Sequence, residues 1–196
     1  AGGETPRFSR DGKQIAFASG GNILVVPTAG GEPRTVMASE LETVAAPCRA
    51  GAFVGGWSPD DSLITYYSAS STRQIAQVCT VPAAGGEPEV IVPDEGAFQI
   101  EPVISPDGTK IVYRAIIDSQ HDIWVVDLET RERTNITHDA DLDIEPDWSP
   151  DGEWIAFGSL RAGAPHFDLF VMRPDGSEVQ QLTTDAAKEA NPVWAP

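Results

Sequence analysis

Short hydrophobic segments alternate with turn residues along the whole chain. The segments are rich in β-branched and aromatic residues, and glycine, proline and aspartate separate each one from the next. Such runs, bounded by turn formers, are typical of β-strands. No segment has the 3.6-residue period of an amphipathic helix. The pattern therefore predicts an all-β protein.

One short motif recurs through the chain. A large apolar residue followed by Ser-Pro-Asp-Gly, or by a close variant, begins at Phe8, Trp57, Ile104 and Trp148, and Trp194 begins a fifth copy. The copies are 49, 47, 44 and 46 residues apart. Four antiparallel strands in each interval are typical of a β-propeller blade. A β-sandwich, the alternative, does not require a motif repeated at this spacing.

Each repeat is predicted to contain four strands, A to D, with the Ser-Pro-Asp-Gly turn between A and B. Strand B begins with an isoleucine two residues before an aromatic residue, and strand D in the last two repeats covers residues 135–137 and 181–183. The predicted fold is a β-propeller of four-stranded antiparallel blades, with four repeats plus the start of a fifth. Its blades cover residues 5–52, 53–98, 99–142 and 143–189, and residues 190–196 form the first strand of a further blade.

These motifs resemble the TolB-like repeat, a WD40-like β-propeller repeat with the pattern Pro-x-Trp-Ser-Pro-Asp-Gly, Ile-Ala-Phe and Leu-Thr. The fourth repeat matches this pattern from Ile144 to Thr183, whereas Arg10, Gly55 and Asp61 depart from it in the first two. The resemblance implies a propeller fold. It implies no single activity, because such repeats occur in periplasmic Tol-system proteins, peptidase propeller domains, sugar-acid lyases and sensor-kinase ectodomains.

The number of repeats bears on the intact particle. Four repeats are fewer than the six or seven blades usual in the family, and a strand A occurs at both ends of the chain. We therefore expect the chain to be part of a longer propeller. The alternatives are a homo-oligomer in which two or more chains complete one ring, and a self-contained ring of four blades.

The charge balance restricts the partners. The chain has 13 Lys and Arg residues against 30 Asp and Glu residues, a net charge of -17. This excess argues against nucleic acid and anionic membrane surfaces as partners. No apolar run approaches the roughly 20 residues of a membrane-spanning helix, so membrane insertion is not expected. A protein or peptide partner, basic in charge, or a cation fits better.

The acidic residues concentrate where strand D leads into the next strand A, at the predicted mouth of the propeller channel. Glu101, Glu145 and Asn191 share one repeat position there, and Asp143 and Glu189 share another. Converging carboxylates are costly unless a cation or a proton joins them. Because oxygen ligands suit Ca²⁺ or another divalent cation, we predict a metal site formed by these five residues. The alternative is an acidic funnel that holds only water.

The three histidines are predicted to lie in loops on the same face. His121, His138 and His166, with Asp139 and Asp141, are therefore candidate ligand-binding residues. Three histidines beside carboxylates could also form the transition-metal site of a lyase.

The favoured function is a non-enzymatic, extracytoplasmic binding module or scaffold. The sequence has no Gly-x-Ser-x-Gly elbow and no phosphate-binding glycine loop, and the turn aspartates are expected to cap their turns. The alternative is the propeller domain of an enzyme, either a peptidase that it gates or a metal-dependent oligosaccharide lyase. The family resemblance implies a periplasmic or secreted location. Cys48 and Cys79 would form a disulfide there or stay as buried free thiols.

Overall fold

The computed structural model describes residues 6–39, 47–70, 75–93, 95–138, 141–161, 166–184 and 192–194. Within these ranges the chain forms sixteen strands, and the all-β prediction is confirmed: β1 (Arg7–Phe8), β2 (Gln14–Ser19), β3 (Asn22–Pro27), β4 (Arg34–Met37), β5 (Gly51–Trp57), β6 (Leu63–Ser70), β7 (Ile75–Pro82), β8 (Glu89–Val92), β9 (Phe98–Ile104), β10 (Lys110–Ile117), β11 (Gln120–Asp127), β12 (Arg133–Asn135), β13 (Asp143–Trp148), β14 (Ile155–Ser159), β15 (Asp168–Met172) and β16 (Gln180–Gln181). In this described part of the chain, no helix is long and apolar enough to cross a membrane.

The chain divides into two compact units, Ala1–Pro102 and Val103–Pro196. In the first unit β1 to β4 pair antiparallel in chain order, and so do β5 to β8. In the second unit the same order joins β10 to β12 and β13 to β16. Strand β9 crosses the division between the units, and its first residue, Phe98, pairs in parallel with Ala76 of β7. Neighbours in sequence are thus neighbours in each antiparallel sheet.

Two strand ends differ from the prediction. Strands β12 and β16 end at Asn135 and Gln181, whereas the pattern predicted strands as far as Thr137 and Thr183. The cause is a side chain that takes the place of a backbone partner. The Thr137 hydroxyl accepts the backbone N–H of Ile123 at 2.8 Å, and Thr183 makes the corresponding bond at 2.9 Å. The threonine at the end of each of these repeats therefore accepts, through its hydroxyl, a backbone N–H at the edge of the neighbouring strand.

The isoleucine and the aromatic residue of strand B fill the core of each unit. Ile64 and Tyr66 are both 0% exposed in the first unit, and Ile155 and Phe157 are both 0% exposed in the second. Residues two apart on a strand point to the same face, so each pair lies in one hydrophobic cluster. Burying each of these side chains contributes about 1.5–3 kcal/mol. In the first repeat, Ile15 and Phe17 are only half-buried, and Ala16 and Ala18 are buried instead.

Each Ser-Pro-Asp-Gly turn contains the same pattern of hydrogen bonds. In the third repeat the Ser105 hydroxyl donates to Asp107 Oδ1 at 2.6 Å, and the same oxygen accepts the N–H of Thr109 at 3.0 Å. The N–H of Lys110 donates to Ser105 Oγ at 3.0 Å, and the N–H of Gly108 donates to the Ser105 carbonyl at 2.9 Å. Corresponding bonds occur in the turns that begin at Ser9, Ser58 and Ser149.

These bonds stabilise the ionised form of each turn aspartate. The backbone N–H of Lys13 is the largest cause for Asp11 and the Ser58 hydroxyl is the largest for Asp60, and each pKa falls to about 2. In the third and fourth turns the serine hydroxyl is the main cause that lowers the aspartate pKa. The recurring aspartates therefore hold their turns together, as the capping interpretation predicted.

The tryptophan in front of a turn joins its repeat to the preceding one. Trp57 Nε1 donates to the carbonyl of Arg7, in the strand A of the repeat before it, at 2.9 Å. An indole N–H in a buried position needs such a partner, so the bond fixes the packing of consecutive strands A. The matching bonds, from Trp148 to the Val103 carbonyl and from Trp194 to the Asp147 carbonyl, measure 3.1 and 3.3 Å.

A disulfide fixes the segment that follows the first repeat. Cys48 and Cys79 are bonded and fully buried, so the structure contains the disulfide rather than two free thiols. The Tyr66 hydroxyl donates to the Cys48 carbonyl at 2.9 Å, and Arg49 pairs with Glu87 at 2.9 Å. With a sequence separation of 31 between the cysteines, loop-closure entropy alone gives a stabilisation of about 3–4 kcal/mol.

Two departures from the repeat pattern compensate each other. Asp61 stands where the other turns have glycine, at φ 58°, and Arg10 stands where they have proline. The Asp61 carboxylate accepts the backbone N–H of Arg10 at 2.6 Å and that of Asp11 at 3.0 Å. Proline at position 10 would have no N–H to donate, and glycine at position 61 would have no acceptor. The two exceptions together join the first turn to the second.

This pair predicts non-additive stability effects. We expect Asp61→Gly to lower the free energy of unfolding by about 1 kcal/mol, since it removes two charge-assisted bonds and relieves one strained residue. Arg10→Pro should cost a similar amount. The double variant should be more stable than the sum of the two losses predicts, by about 0.5–1 kcal/mol in urea unfolding. Strict additivity would show that the two residues do not interact.

The lowered aspartate pKa values predict acid sensitivity. A carboxylate with a folded pKa of about 2 stabilises the fold fully above its unfolded value of 3.8, and this stabilisation is lost as the pH falls towards 2. We expect the melting temperature of the protein to fall between pH 4 and pH 2. Asp60→Asn, which keeps an acceptor oxygen but not the charge, should make this fall shallower. Glu32→Gln, the control on an exposed turn, should leave the slope unchanged.

Candidate functional site

The strand A of the third and fourth repeats contains an acidic residue in an unusual backbone conformation. Glu101 in β9 and Glu145 in β13 have φ values of 56° and 55°, and each precedes a proline. In β13 the register with β14 shifts between Ile144 and Asp147, so a bulge includes Glu145. Proline cannot donate to the ladder, and a bulge re-aims the neighbouring side chain. The repeat thus gives the two glutamates the same local geometry, one in each unit.

Asp143, predicted as a cation ligand, has a protein cation beside it. This side chain is 0% exposed, and Arg161 Nη2 lies 3.2 Å from its Oδ2. Arg161 Nε also donates to the Ser159 hydroxyl at 3.2 Å. The guanidinium carbon lies 5.3 Å from the ring centre of Phe157 and 5.7 Å from that of Phe170. The arginine is therefore held by a carboxylate and by two aromatic faces.

Sequence reasoning missed Arg161. The pattern gave Asp143 no partner, because the arginine comes from the loop after strand B rather than from strand A. The one available signal was its position, two residues after the end of β14, in a repeat with a carboxylate three residues before the strand A proline. Gln99 has that repeat position in β9, and it is also buried, with 3% exposed.

Asp141 lies just before β13, beside a polar network of the third repeat. Gln120 Nε2 donates to the Asp141 carbonyl and lies 3.4 Å from Asp122 Oδ1. Asn135 Nδ2 donates to Asp122 Oδ2 at 2.8 Å. The fourth repeat has the same arrangement, since Gln181 Nε2 donates to Asp168 Oδ2 at 2.9 Å. These acidic side chains stabilise the ends of the sheets.

The placement of one histidine corrects the sequence analysis. His121 was predicted in a loop, but it lies in β11, opposite Ile116. The reason is the turn between β10 and β11, which is only Asp118–Ser119, both with positive φ, so the two strands extend further than predicted. Burial is the main cause that lowers the pKa of His121, followed by the charge of Arg114. His138 and His166 are exposed outside the strands.

Several predicted site residues cannot be placed. Asp139, Glu189 and Asn191 lie outside the described residues. Among the residues that are described, no three histidine, cysteine, aspartate or glutamate side chains are grouped so that they could hold a metal ion. The predicted five-residue metal site thus stays a prediction that rests in part on residues without a described position.

Successive antiparallel sheets contain the same serine–aspartate turn, and Trp57, Trp148 and Trp194 each bond to the strand A of the repeat before them. These features define the class of repeat proteins to which β-propellers belong. The sequence model of the TolB beta propeller domain matches residues 48–196, and the chain belongs to this family. The resemblance found in the motifs is confirmed.

Three known proteins show how far the similarity extends. An uncharacterized protein of Agrobacterium fabrum is 30% identical over 185 residues, which are 93% of this chain and 59% of that protein. The uncharacterized peptidase YuxL of Bacillus subtilis is 31% identical over 102 residues, 49% of this chain and 15% of the peptidase. The structure of a TolB candidate from Agrobacterium tumefaciens superimposes with a TM-score of 0.78 at 28% identity, covering 94% of this chain and 63% of that one. The chain spans less than two thirds of each of them.

The Asp143–Arg161 pair predicts a large structural effect. Arg161→Met should lower the free energy of unfolding by about 3–5 kcal/mol, because it leaves a fully buried carboxylate without its cation. Arg173→Met, which removes an arginine from exposed ion pairs, is the control and should have a much smaller effect. Both are measured by guanidinium unfolding at pH 7. Equal losses in the free energy of unfolding would show that the buried pair stabilises the fold no more than the exposed ion pairs do.

Proposed function

We propose that this chain is a non-enzymatic binding module that holds a basic protein or peptide segment on its acidic face. The observation that carries the proposal is the repeated geometry of Glu101 in the first unit and Glu145 in the second, each an acidic residue at the same position of its own strand A. A net charge of -17 supports a basic partner, since complementary charge speeds encounter and favours correct pairing. The turn aspartates use Oδ1 to accept hydrogen bonds within their own turns.

The proposed location is extracytoplasmic, either periplasmic or secreted. The buried Cys48–Cys79 disulfide supports it, since such bonds persist in oxidising compartments. The predicted Ca²⁺ or other divalent cation is kept as part of the proposal. A ring completed by further copies of the chain is kept as a proposal as well.

The second candidate is the propeller domain of an enzyme, and the similarity to YuxL favours a peptidase over a lyase. In that case the reaction would take place in another domain, and this chain would control access to it. The two candidates differ in one measurable respect. A binding module retains a partner by itself, whereas a gating domain has no affinity for a substrate that it only admits.

The proposal predicts charge-dependent binding with a defined position. An octalysine peptide should bind in a calorimetric titration at 50 mM salt and should bind much less at 300 mM. The double variant Glu101→Gln, Glu145→Gln should weaken binding about tenfold, as expected for two charge contacts. The control Glu32→Gln, Glu129→Gln removes the same total charge from turns between strands and should have little effect.

Equal weakening by both double variants would contradict a localised acidic face and leave only general charge attraction. A parallel titration with CaCl₂ separates the cation from the peptide. Heat that disappears in the Glu101→Gln, Glu145→Gln variant, but not in the control variant, would assign the cation to these glutamates. Its absence in the unmodified protein would exclude the cation and leave the peptide result unaffected.

A further inference from the structure

A depression of about 130 Å³ lies between the turns of the third and fourth repeats, at the other end of β13 from Glu145. Pro106, Trp148 and Pro174 give it apolar walls, and Asp151 and Gly152 belong to its rim. A long basic side chain suits such a place, because its aliphatic stem can lie along apolar surface while its charged end meets a carboxylate.

The same place between the first and second repeats is filled. There, the Asp61 side chain crosses to the backbone of Arg10 and Asp11. In the fourth repeat the residue corresponding to Asp61 is Gly152, which has no side chain, and Pro106 replaces Arg10 and removes the N–H. The depression therefore exists because these two residues follow the repeat pattern that the first two repeats abandon.

The first repeat also shows how a lysine binds a turn of this kind. Lys13 Nζ lies 2.9 Å from Asp11 Oδ2, while Asp11 Oδ1 serves the turn. In the fourth repeat Asp151 Oδ1 likewise accepts the hydrogen bonds of its turn, from the Ser149 hydroxyl and the N–H of Glu153. Glu153 has the repeat position of Lys13. Among the described residues no donor is bonded to Asp151 Oδ2. The fourth turn thus has the carboxylate oxygen but not the lysine.

Two cations close to the depression, Lys110 and Arg173, have other partners, although the charge of Arg173 also acts on Asp151. Lys110, which also lines the depression, has its ammonium 3.0 Å from Asp127 Oδ2. Arg173 pairs with Glu153 at 3.1 Å and stacks 4.0 Å from the ring centre of Trp154. Both are held by these contacts, so Asp151 Oδ2 remains the oxygen of the rim that an incoming cation can reach.

We propose that this depression binds a lysine or arginine side chain of the partner, with its charged group on Asp151 Oδ2 and its stem against Pro106, Trp148 and Pro174. It takes the place that Lys13 has on Asp11 in the first repeat. The inference rests on the proposed basic partner and names a second contact for it, at the other end of β13 from Glu145.

The probe is N-acetyl-lysine amide, and its Nε-acetylated form is the matched uncharged control. We expect the backbone amide signals of Gly152 and Glu153 to shift in a two-dimensional NMR titration with the lysine compound and not with the control. Asp151→Asn keeps the turn acceptor and removes the charge, so it should weaken this binding about two- to fivefold. Asp60→Asn makes the same change in the second repeat and should leave it unaltered.

A second variant fills the depression without changing its charge. Asparagine tolerates the positive φ of 73° at Gly152, and a Cβ there would lie 3.6 Å from Pro106 Cδ. Gly152→Asn should therefore abolish the shift of the Glu153 amide signal, while the rest of the spectrum shows an intact fold. Shifts that persist in this variant, or that weaken equally in Asp60→Asn, would overturn the proposal.

The local signals separate this site from the proposed function. Octalysine that still binds through Glu101 and Glu145, with unchanged Gly152 and Glu153 signals, would refute the depression alone. Lysine amide that shifts these signals while octalysine fails to bind would support the depression and refute the proposed acidic face.

Discussion

The hydrogen bond from a serine hydroxyl to the aspartate two residues later is the interaction on which the rest of the structure depends. It closes the turn between strands A and B in all four repeats, at 2.6–2.8 Å. The serine then accepts the first N–H of strand B, so the turn also sets the register of the hairpin. Because the register decides which side chains face inward, this bond helps to place the isoleucine and the aromatic residue of strand B in the core of the second, third and fourth repeats. In the first repeat Ala16 and Ala18 are buried instead.

A single sheet of this kind cannot bury both of its faces, and the contacts between repeats provide what is missing. The indole bond from Trp57 to the Arg7 carbonyl and the carboxylate of Asp61 on the first turn act at the same end of strand A. The disulfide and Arg34, which donates to the Ala83 carbonyl at 2.5 Å, add further contacts in the first unit. Each repeat therefore depends on its neighbour, as in other repeat proteins.

Much of the fold could be predicted from the sequence because the same turn and strand motifs occur in several repeats. Ser-Pro-Asp-Gly and the strand B motif predicted the turns and the central strands. The errors arose where side chains compete with the backbone, as the Thr137 hydroxyl does at the end of β12. The position of His121 was wrong for a related reason, since the two-residue turn Asp118–Ser119 has no glycine or asparagine to signal it.

The candidate site was predictable only in part. The repeat register placed Glu101 and Glu145 correctly at equivalent positions, because register is a property of spacing. It could not show that Arg161 lies against Asp143, since that contact joins strand A to a loop 18 residues later and no period links them. Contacts between residues from different parts of a repeat can be seen only in the folded structure. They decide which carboxylates already have a cationic partner within the protein.

Agreement with the repeat pattern or departure from it decides whether a depression stays open between two turns. Where the pattern holds, as at Pro106 and Gly152, a depression stays open between two turns. Where it fails, as at Arg10 and Asp61, the chain closes the same place with its own carboxylate and backbone. Because both arrangements use one backbone geometry, a few substitutions decide which intervals between repeats offer a surface to a partner. A propeller repeat can thus keep its fold while its binding positions move from one interval to another.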